Sequence, residues 1–263
     1  SRTNELELTS RDAGGDQYSD ITFVYENYRA IYNGGVRFRG NGAGGGLQNN
    51  KYACTIPDSE RLLGNNEVKI DASPEYNDDA GSRMEEYHAY WVSRETGAAA
   101  SHLRFILTRA NGSNMLRQHY QIPSRDFCKS WYRHDDPVVF ESIAYDPFLN
   151  YAKSDGTKAM AKYRYGQRRK KTSLPSDSYD TLYGVVNAAL TADITVYDLR
   201  LQAVINPYGF GNYLAINLLG GNSDSYGWTA ARNIFYYLPA TDRLRLHLHD
   251  LDGCYSPLSS GPT

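Results

Sequence analysis

The sequence predicts a mainly β protein with a few helices: an antiparallel, jelly-roll-like β-sandwich over residues 20–263, treated as a single domain, with an N-terminal arm or helix over residues 1–19. Three observations predict it. Short segments rich in β-branched and aromatic residues recur along the chain, separated by Gly, Pro, Asn and Asp. Few segments keep a helical spacing of apolar residues, as expected of a sandwich. No internal repeat and no linker divides the 263 residues, a length that buries about three-quarters of the unfolded surface.

The first nineteen residues are polar, with a weak helical stretch at residues 3–9 and a breaker at Gly14-Gly15, so they read as an arm leaving the core. Residues 21–28 and 36–39 form a hairpin around the turn chemistry of Asn33-Gly34-Gly35. The spacing of Ile21, Val24, Tyr25, Tyr28 and Tyr32 also fits a helix. Gly40, Gly42 and Gly45 then match the G-x-G-x-x-G spacing, but no parallel-type strand precedes them and no helical period follows. That argues against a dinucleotide fold and for a flexible loop, whose backbone amides can still approach a phosphate.

Residues 84–92 and 102–108 read as paired strands around Glu95-Thr96-Gly97. Ser124 is placed to cap a helix over residues 125–133, with Phe127 and Trp131 on one face. Residues 138–145, 159–165, 182–189, 194–205 and 213–219 continue as short strands. The most regular strand is residues 244–249, with its leucines on one face and Arg243, Arg245, His247 and His249 on the other.

Composition narrows the function. Lys+Arg total 28 against 30 Asp+Glu, so no global charge draws the chain to nucleic acid or an anionic membrane. Mean hydropathy is −0.60 and no apolar run is long enough for a membrane span, nor do the first residues read as a signal peptide. The three cysteines, Cys54, Cys128 and Cys254, are odd in number and suit free thiols. Tyrosine is the anomaly: 23 Tyr stand against 8 Phe and 3 Trp, and Arg outnumbers Lys. Both types favour interfaces, which points to assembly.

Catalytic signatures are missing. There is no G-x-S-x-G, H-E-x-x-H, P-loop or C-x-x-C, so the expectation is a protein that is not an enzyme and requires no cofactor. Cys128 with His134 reads as an inert buried thiol beside an unrelated imidazole, and Asp78-Asp79 and Asp135-Asp136 read as turns. The basic face of Arg243, Arg245, His247 and His249 is expected to meet carboxylates or phosphates, nucleotides among them. It is a poor metal site, because two arginines repel a cation. Arg168-Arg169-Lys170-Lys171 reads as a solvated hairpin tip, and Asp250 and Asp252 lie in a turn after the last strand.

In order along the chain, residues 21–38, Tyr76-Asn77-Asp78 with Met84-Glu85-Glu86-Tyr87, Ile122-Pro123-Ser124-Arg125-Asp126-Phe127, Ser154-Asp155-Gly156 with Lys162-Tyr163-Arg164-Tyr165, and Ser225-Tyr226-Gly227 together resemble the cypovirus polyhedrins. The segment after Tyr226 departs from that pattern. The resemblance implies a viral occlusion-body matrix protein: trimers that assemble into an intracellular crystal lattice in the host cytoplasm, embed virions, and bind nucleotides at interfaces in some members. It implies no membrane partner and no sequence-specific nucleic acid. Dissolution in the alkaline insect gut would then fall to phenols that ionise near pH about 10. The candidates are Tyr25, Tyr28, Tyr32, Tyr163, Tyr165, Tyr236 and Tyr237. The alternatives are a jelly-roll viral capsid protein, disfavoured by an arm that is not basic, and a carbohydrate-binding β-sandwich with Trp91, Trp131 or Trp228 as platforms.

Overall fold

The computed structural model describes residues 18–26, 28–38, 52–62, 64–71, 80–110, 113–132, 138–142, 153–159, 167–171, 179–190, 193–222, 225–226, 234–238, 243–251 and 253–255. Most of the arm expected over residues 1–19 lies outside them. The chain clusters into two compact units, Ser1–Ala80 with His102–Ile122 and Gly81–Ser101 with Pro123–Thr263.

The first unit holds a six-stranded sheet of β1 (Ser19–Tyr25), β2 (Arg29–Phe38), β3 (Tyr52–Thr55), β4 (Glu67–Asp71), β5 (Leu103–Ala110) and β6 (Ser113–Gln121). Its order is β1-β2-β3-β4-β6-β5 and every pairing is antiparallel. The expected first hairpin is present, but its turn falls at Glu26 to Tyr28, with Glu26 at φ 51, and β2 continues past Asn33-Gly34-Gly35 with a register shift there, Asn33 at φ 57. Those glycines serve close approach. A Cβ on Gly34 would stand 2.6 Å from the Phe23 ring, so the missing side chain is what lets that ring lie on the backbone. One face of the sheet packs Ile31, Val36, Cys54, Ile56, Leu62 and Val68 into an apolar core.

The second unit combines five helices with a four-stranded antiparallel sheet of order β10-β9-β7-β8, among the described residues. The strands are β7 (Val138–Ser142), β8 (Gln167–Lys171), β9 (Ile234–Leu238) and β10 (Arg245–Leu248). The helices are α1 (Ala80–Glu95), whose first residue belongs to the first unit, α2 (Arg125–Trp131), α3 (Asp180–Ala189), α4 (Ile194–Val204) and α5 (Pro207–Gly220).

Four segments expected as strands are helical. In residues 84–92, now within α1, the buried residues Glu86, Ala89, Tyr90 and Ser93 follow an i, i+3, i+4, i+7 spacing, which only a helix turns to one side. Trp91 is therefore on a helix. Residues 182–189 bury Leu182, Val185 and Val186 the same way in α3. Residues 194–204 form α4, where the Asp193 side chain accepts from the Thr195 N–H. Residues 213–219 lie inside α5, which starts at Asn206 with Pro207 in its first turn and stops at the left-handed Gly221. Short β-branched runs satisfy both periods, and the caps decide. The architecture is mainly β with several helices and antiparallel sheets among the described residues.

Other expectations hold or shift. Residues 103–110 form β5, paired with β6 rather than with residues 84–92, and residues 138–142 form β7. Ser124 occupies the N-cap of α2, without a side-chain cap bond, and the Phe127 and Trp131 rings meet at 6.4 Å. Arg168 to Lys171 form the terminal strand of the second sheet instead of a hairpin tip, with Arg168 opposite Glu141 in register. All three cysteines are free and buried. No helix among the described residues is long and apolar enough to cross a membrane.

Candidate functional site

Side chains alternate across a strand, so register assigns each residue of the first sheet to a face. One row crosses five strands: Arg37 on β2 opposes Ala53 on β3, Ala53 opposes Lys69 on β4, Lys69 opposes Tyr120 on β6, and Tyr120 opposes Leu103 on β5. The neighbouring row on the same face pairs Asp71 with Gln118 and Gln118 with Phe105. The opposite face carries Val36, Cys54 and Val68, which belong to the apolar core.

This first face is covered yet polar. Ala53, Asp71, Leu103, Gln118 and Tyr120 are buried, while Arg37 and Lys69 are half-buried. The Tyr120 hydroxyl donates to Gln118 Oε1 at 2.7 Å. Two cations, Arg37 and Lys69, thus share this face with the Asp71 carboxylate, with Ala53 between them, and the Arg37 guanidinium lies over the Tyr18 ring at 5.3 Å. Phe38 opposes Tyr52, one residue beyond the Arg37 and Ala53 pair, so the chain that holds Gly40, Gly42 and Gly45 leaves and rejoins the sheet beside the Lys69 row. Those glycines lie outside the described residues.

The second unit contributes a tightly held acidic turn. Past β10 Asp250 takes a left-handed backbone conformation, with φ 56, and Leu251 is fully buried. The Asp250 N–H donates to the Tyr90 hydroxyl at 2.9 Å. Asn222 Nδ2 donates to Asn217 Oδ1 at 2.9 Å and to the Asp250 carbonyl at 3.3 Å. Both amide hydrogens are thereby used, which fixes the orientation of the group and leaves Asn222 Oδ1, buried, without a hydrogen-bond partner among the described residues. A Cβ on Gly253 would stand 2.8 Å from that oxygen. Asp252 lies outside the described residues. No group of three or more potential metal ligands occurs among the described residues.

The residues expected from sequence are placed otherwise. The leucines of β10 do share a face, but the opposite side is no solvated basic surface. His247 is fully buried between Phe127 and Tyr132, at 4.7 and 5.6 Å between ring centroids, and burial, helped by Arg245, pushes its pKa down to about 3. His249 is buried against Phe235. Arg243 donates to the Gln202 carbonyl and Arg245 stacks over Tyr132. A neutral buried imidazole offers no charge to an anion. Of the tyrosines, Tyr28 and Tyr32 are exposed, Tyr25 is half-buried, and Tyr236 and Tyr237 are buried. Hydrogen bonding to Glu26 holds Tyr25 and Tyr28 above the usual phenol range. Tyr163 and Tyr165 lie outside the described residues.

Sequence reasoning passed over Lys69, Ala53, Tyr90 and Asn222. A usable signal was present for the first: the order of a glycine-rich segment between two strands and then Val68-Lys69-Ile70 on the strand that follows them. The polar partners Tyr90 and Asn222 left no such trace, because only the fold brings them to Asp250.

Comparison with known proteins follows this geometry. A family model described as CotH kinase protein matches residues 36–257. No curated protein matches the chain. The family match overturns the resemblance to polyhedrins, and with it the occlusion-body matrix function, the capsid and carbohydrate-binding alternatives, and the location within occlusion bodies of a host cytoplasm. The expectation of a non-enzyme falls as well, since the family is described as a kinase. With a match running from within β2 to beyond the acidic turn, the chain belongs to the CotH kinase protein family.

Proposed function

We propose that the protein is a phosphoryl-transfer enzyme that takes a nucleoside triphosphate together with a divalent cation. The observation that carries this reading is the Arg37, Ala53, Lys69, Tyr120, Leu103 row beside the glycine-rich segment. In protein kinases a G-x-G-x-x-G loop covers the phosphates and a lysine on the third strand pairs with them. Here Gly40, Gly42 and Gly45 join β2 to β3, and Lys69 stands on the next strand, β4. Lys69 is assigned the phosphate charge, the glycine-rich backbone the phosphate oxygens, and Ala53 the room for a flat base beside them.

The acidic turn of the second unit fits a divalent cation. Its side-chain donors are oxygens, the Asp250 carboxylate and the buried Asn222 Oδ1, with Asp252 two residues further along the sequence, and oxygen donors suit magnesium. When bound, such an ion neutralises charge developing on the transferred phosphoryl group. The chain's own contribution is to hold the Asp250 backbone through Tyr90 and Asn222, which lowers the reorganisation needed at the moment of transfer.

The test uses the full chain, labelled nucleoside triphosphate and magnesium, reading hydrolysis and self-phosphorylation. Lys69→Met is expected to lower kcat/KM by at least about 100-fold with an unchanged circular dichroism spectrum, a loss of the size seen when an electrostatic contact of the transition state is removed. Absence of nucleotide binding by the unaltered protein, or full activity in Lys69→Met, overturns the reading.

A further inference from the structure

The acidic turn is tied to α1 as well as to its own strand. Tyr90, on α1 and almost wholly buried, accepts the Asp250 N–H through its hydroxyl. Two residues earlier on the helix, the His88 ring meets Tyr255 at 5.6 Å between centroids, just beyond the turn. On the other side α5 grips the same segment: Asn222 holds the Asp250 carbonyl, and the Gly220 carbonyl accepts from the Tyr255 N–H. Asp250 therefore has its N–H held by one helix and its carbonyl held from the end of another, in a left-handed conformation that a residue with a Cβ adopts only at a cost.

We infer that Tyr90 is a positioning residue, whose phenol fixes the Asp250 backbone so that the place of α1 sets where the Asp250 carboxylate is presented to a divalent cation. The inference rests on the phosphoryl-transfer reading for its consequence in catalysis, but not for the contact itself. Hydrogen-bond partners behind a metal ligand orient it, and their loss commonly costs 10–100-fold in metal affinity or activity. A half-buried N–H deprived of its acceptor also favours a different backbone conformation at Asp250. Any event that shifts α1 by a fraction of the hydrogen-bond length would act on the cation through this phenol.

The experiment removes the acceptor and keeps the ring. In Tyr90→Phe, binding of manganese to the full chain, followed by loss of the free-ion electron paramagnetic resonance signal, is expected to weaken about tenfold. Amide exchange at Asp250 is expected to rise by a similar factor, while α1 amides keep their protection. Should Tyr90→Phe fold poorly, site-specific replacement of Tyr90 by a fluorinated tyrosine, a weaker acceptor of the same shape, gives a graded version of both shifts. With nucleotide present, the magnesium concentration for half-maximal turnover rises and the nucleotide KM at saturating magnesium stays within about twofold, which a general loss of structure would not produce. Unchanged manganese affinity and unchanged Asp250 exchange in these variants overturn the inference. Manganese binding that weakens as expected in a protein without phosphoryl transfer would instead overturn the functional reading and leave the positioning role standing.

Discussion

Gly220, the last residue of α5, lies so close to Cys254 that a Cβ at this position would stand 2.8 Å from Sγ and 3.2 Å from the cysteine Cβ. Both residues are buried, and Cys254 is inaccessible to solvent. The contact brings the end of α5 against the segment that follows the acidic turn. Gly220→Ala is therefore expected to destabilise the protein by about 1–3 kcal/mol through overpacking, although alanine is intrinsically the better helix former. Urea denaturation measures it, and Gly220→Ala with Cys254→Ala should recover much of the loss, because the pair shares one space. A neutral or stabilising Gly220→Ala contradicts the packing described.

His247 sets an acid limit. Its ring is enclosed by Phe127, Tyr132 and Tyr237, with Arg245 as the charged neighbour, and neither nitrogen has a hydrogen-bond partner among the described residues. The folded protein keeps it neutral down to about pH 3, whereas the unfolded chain takes up the proton near 6.5. The unfolded state thus binds more protons between these values, so stability is fully present above about pH 6.5 and is lost as pH falls towards 3. His119, lowered to about 4 by burial and Arg104, acts in the same direction. His247→Phe should raise stability at neutral pH by about 1 kcal/mol, by removing an unsatisfied polar ring, and should flatten the acid side of the curve. A curve parallel to that of the unaltered protein would refute the assignment.

How far sequence reaches is seen by comparing the two sheets with the helices. The hairpin of β1 and β2, the strand β5 and the leucine face of β10 were legible because a half-buried strand imposes a period of two. The α3, α4 and α5 segments were not, because Val, Ile, Leu and Tyr are dense enough there to satisfy either period, and for α4 and α5 the deciding signals are single residues: Asp193, Asn206 and Gly221. His247 was misjudged for another reason. Alternation assigns it to the face opposite the leucines, but only the packing of α2 and β9 shows that this face is also closed. Lys69 carried its signal in the order glycine-rich segment, strand, lysine strand, whereas Tyr90 is 160 residues from the amide it accepts and had none.

Asn206 is the N-cap of α5, with its Oδ1 accepting the Gly209 N–H at 2.9 Å and Pro207 opening the first turn. Its backbone N–H separately donates to the Leu244 carbonyl, a bond that any side chain retains. Asn206→Ala is expected to cost about 1 kcal/mol in thermal or urea denaturation, and Asn206→Asp, which keeps an acceptor in the same place, only a small part of that. Equal losses in the two variants would show that the amide matters for some other contact.

Asn222 gives the sharpest contrast, since Asn222→Asp changes one atom of the side chain and inverts its role. The buried amide nitrogen now donates to two acceptors, Asn217 Oδ1 and the Asp250 carbonyl. A carboxylate would face both with no hydrogen to offer. Turning the Asn217 amide does not repair this, because its own nitrogen already donates to the Tyr213 carbonyl at 2.9 Å. The loss is expected to be about 1–3 kcal/mol at neutral pH, the cost of leaving buried polar groups unsatisfied. It also acquires a pH dependence: burial among acceptors raises the new carboxyl above the free value near about 3.9, so the variant loses stability as pH climbs through that value and regains part of it when protonated. Stability measured at pH 4 and pH 7 checks this, with the difference between variant and unaltered protein narrowing at the lower pH. A gap that stays constant across that interval would mean that the carboxyl has turned away to solvent and that Asn222 does not hold the Asp250 turn as described.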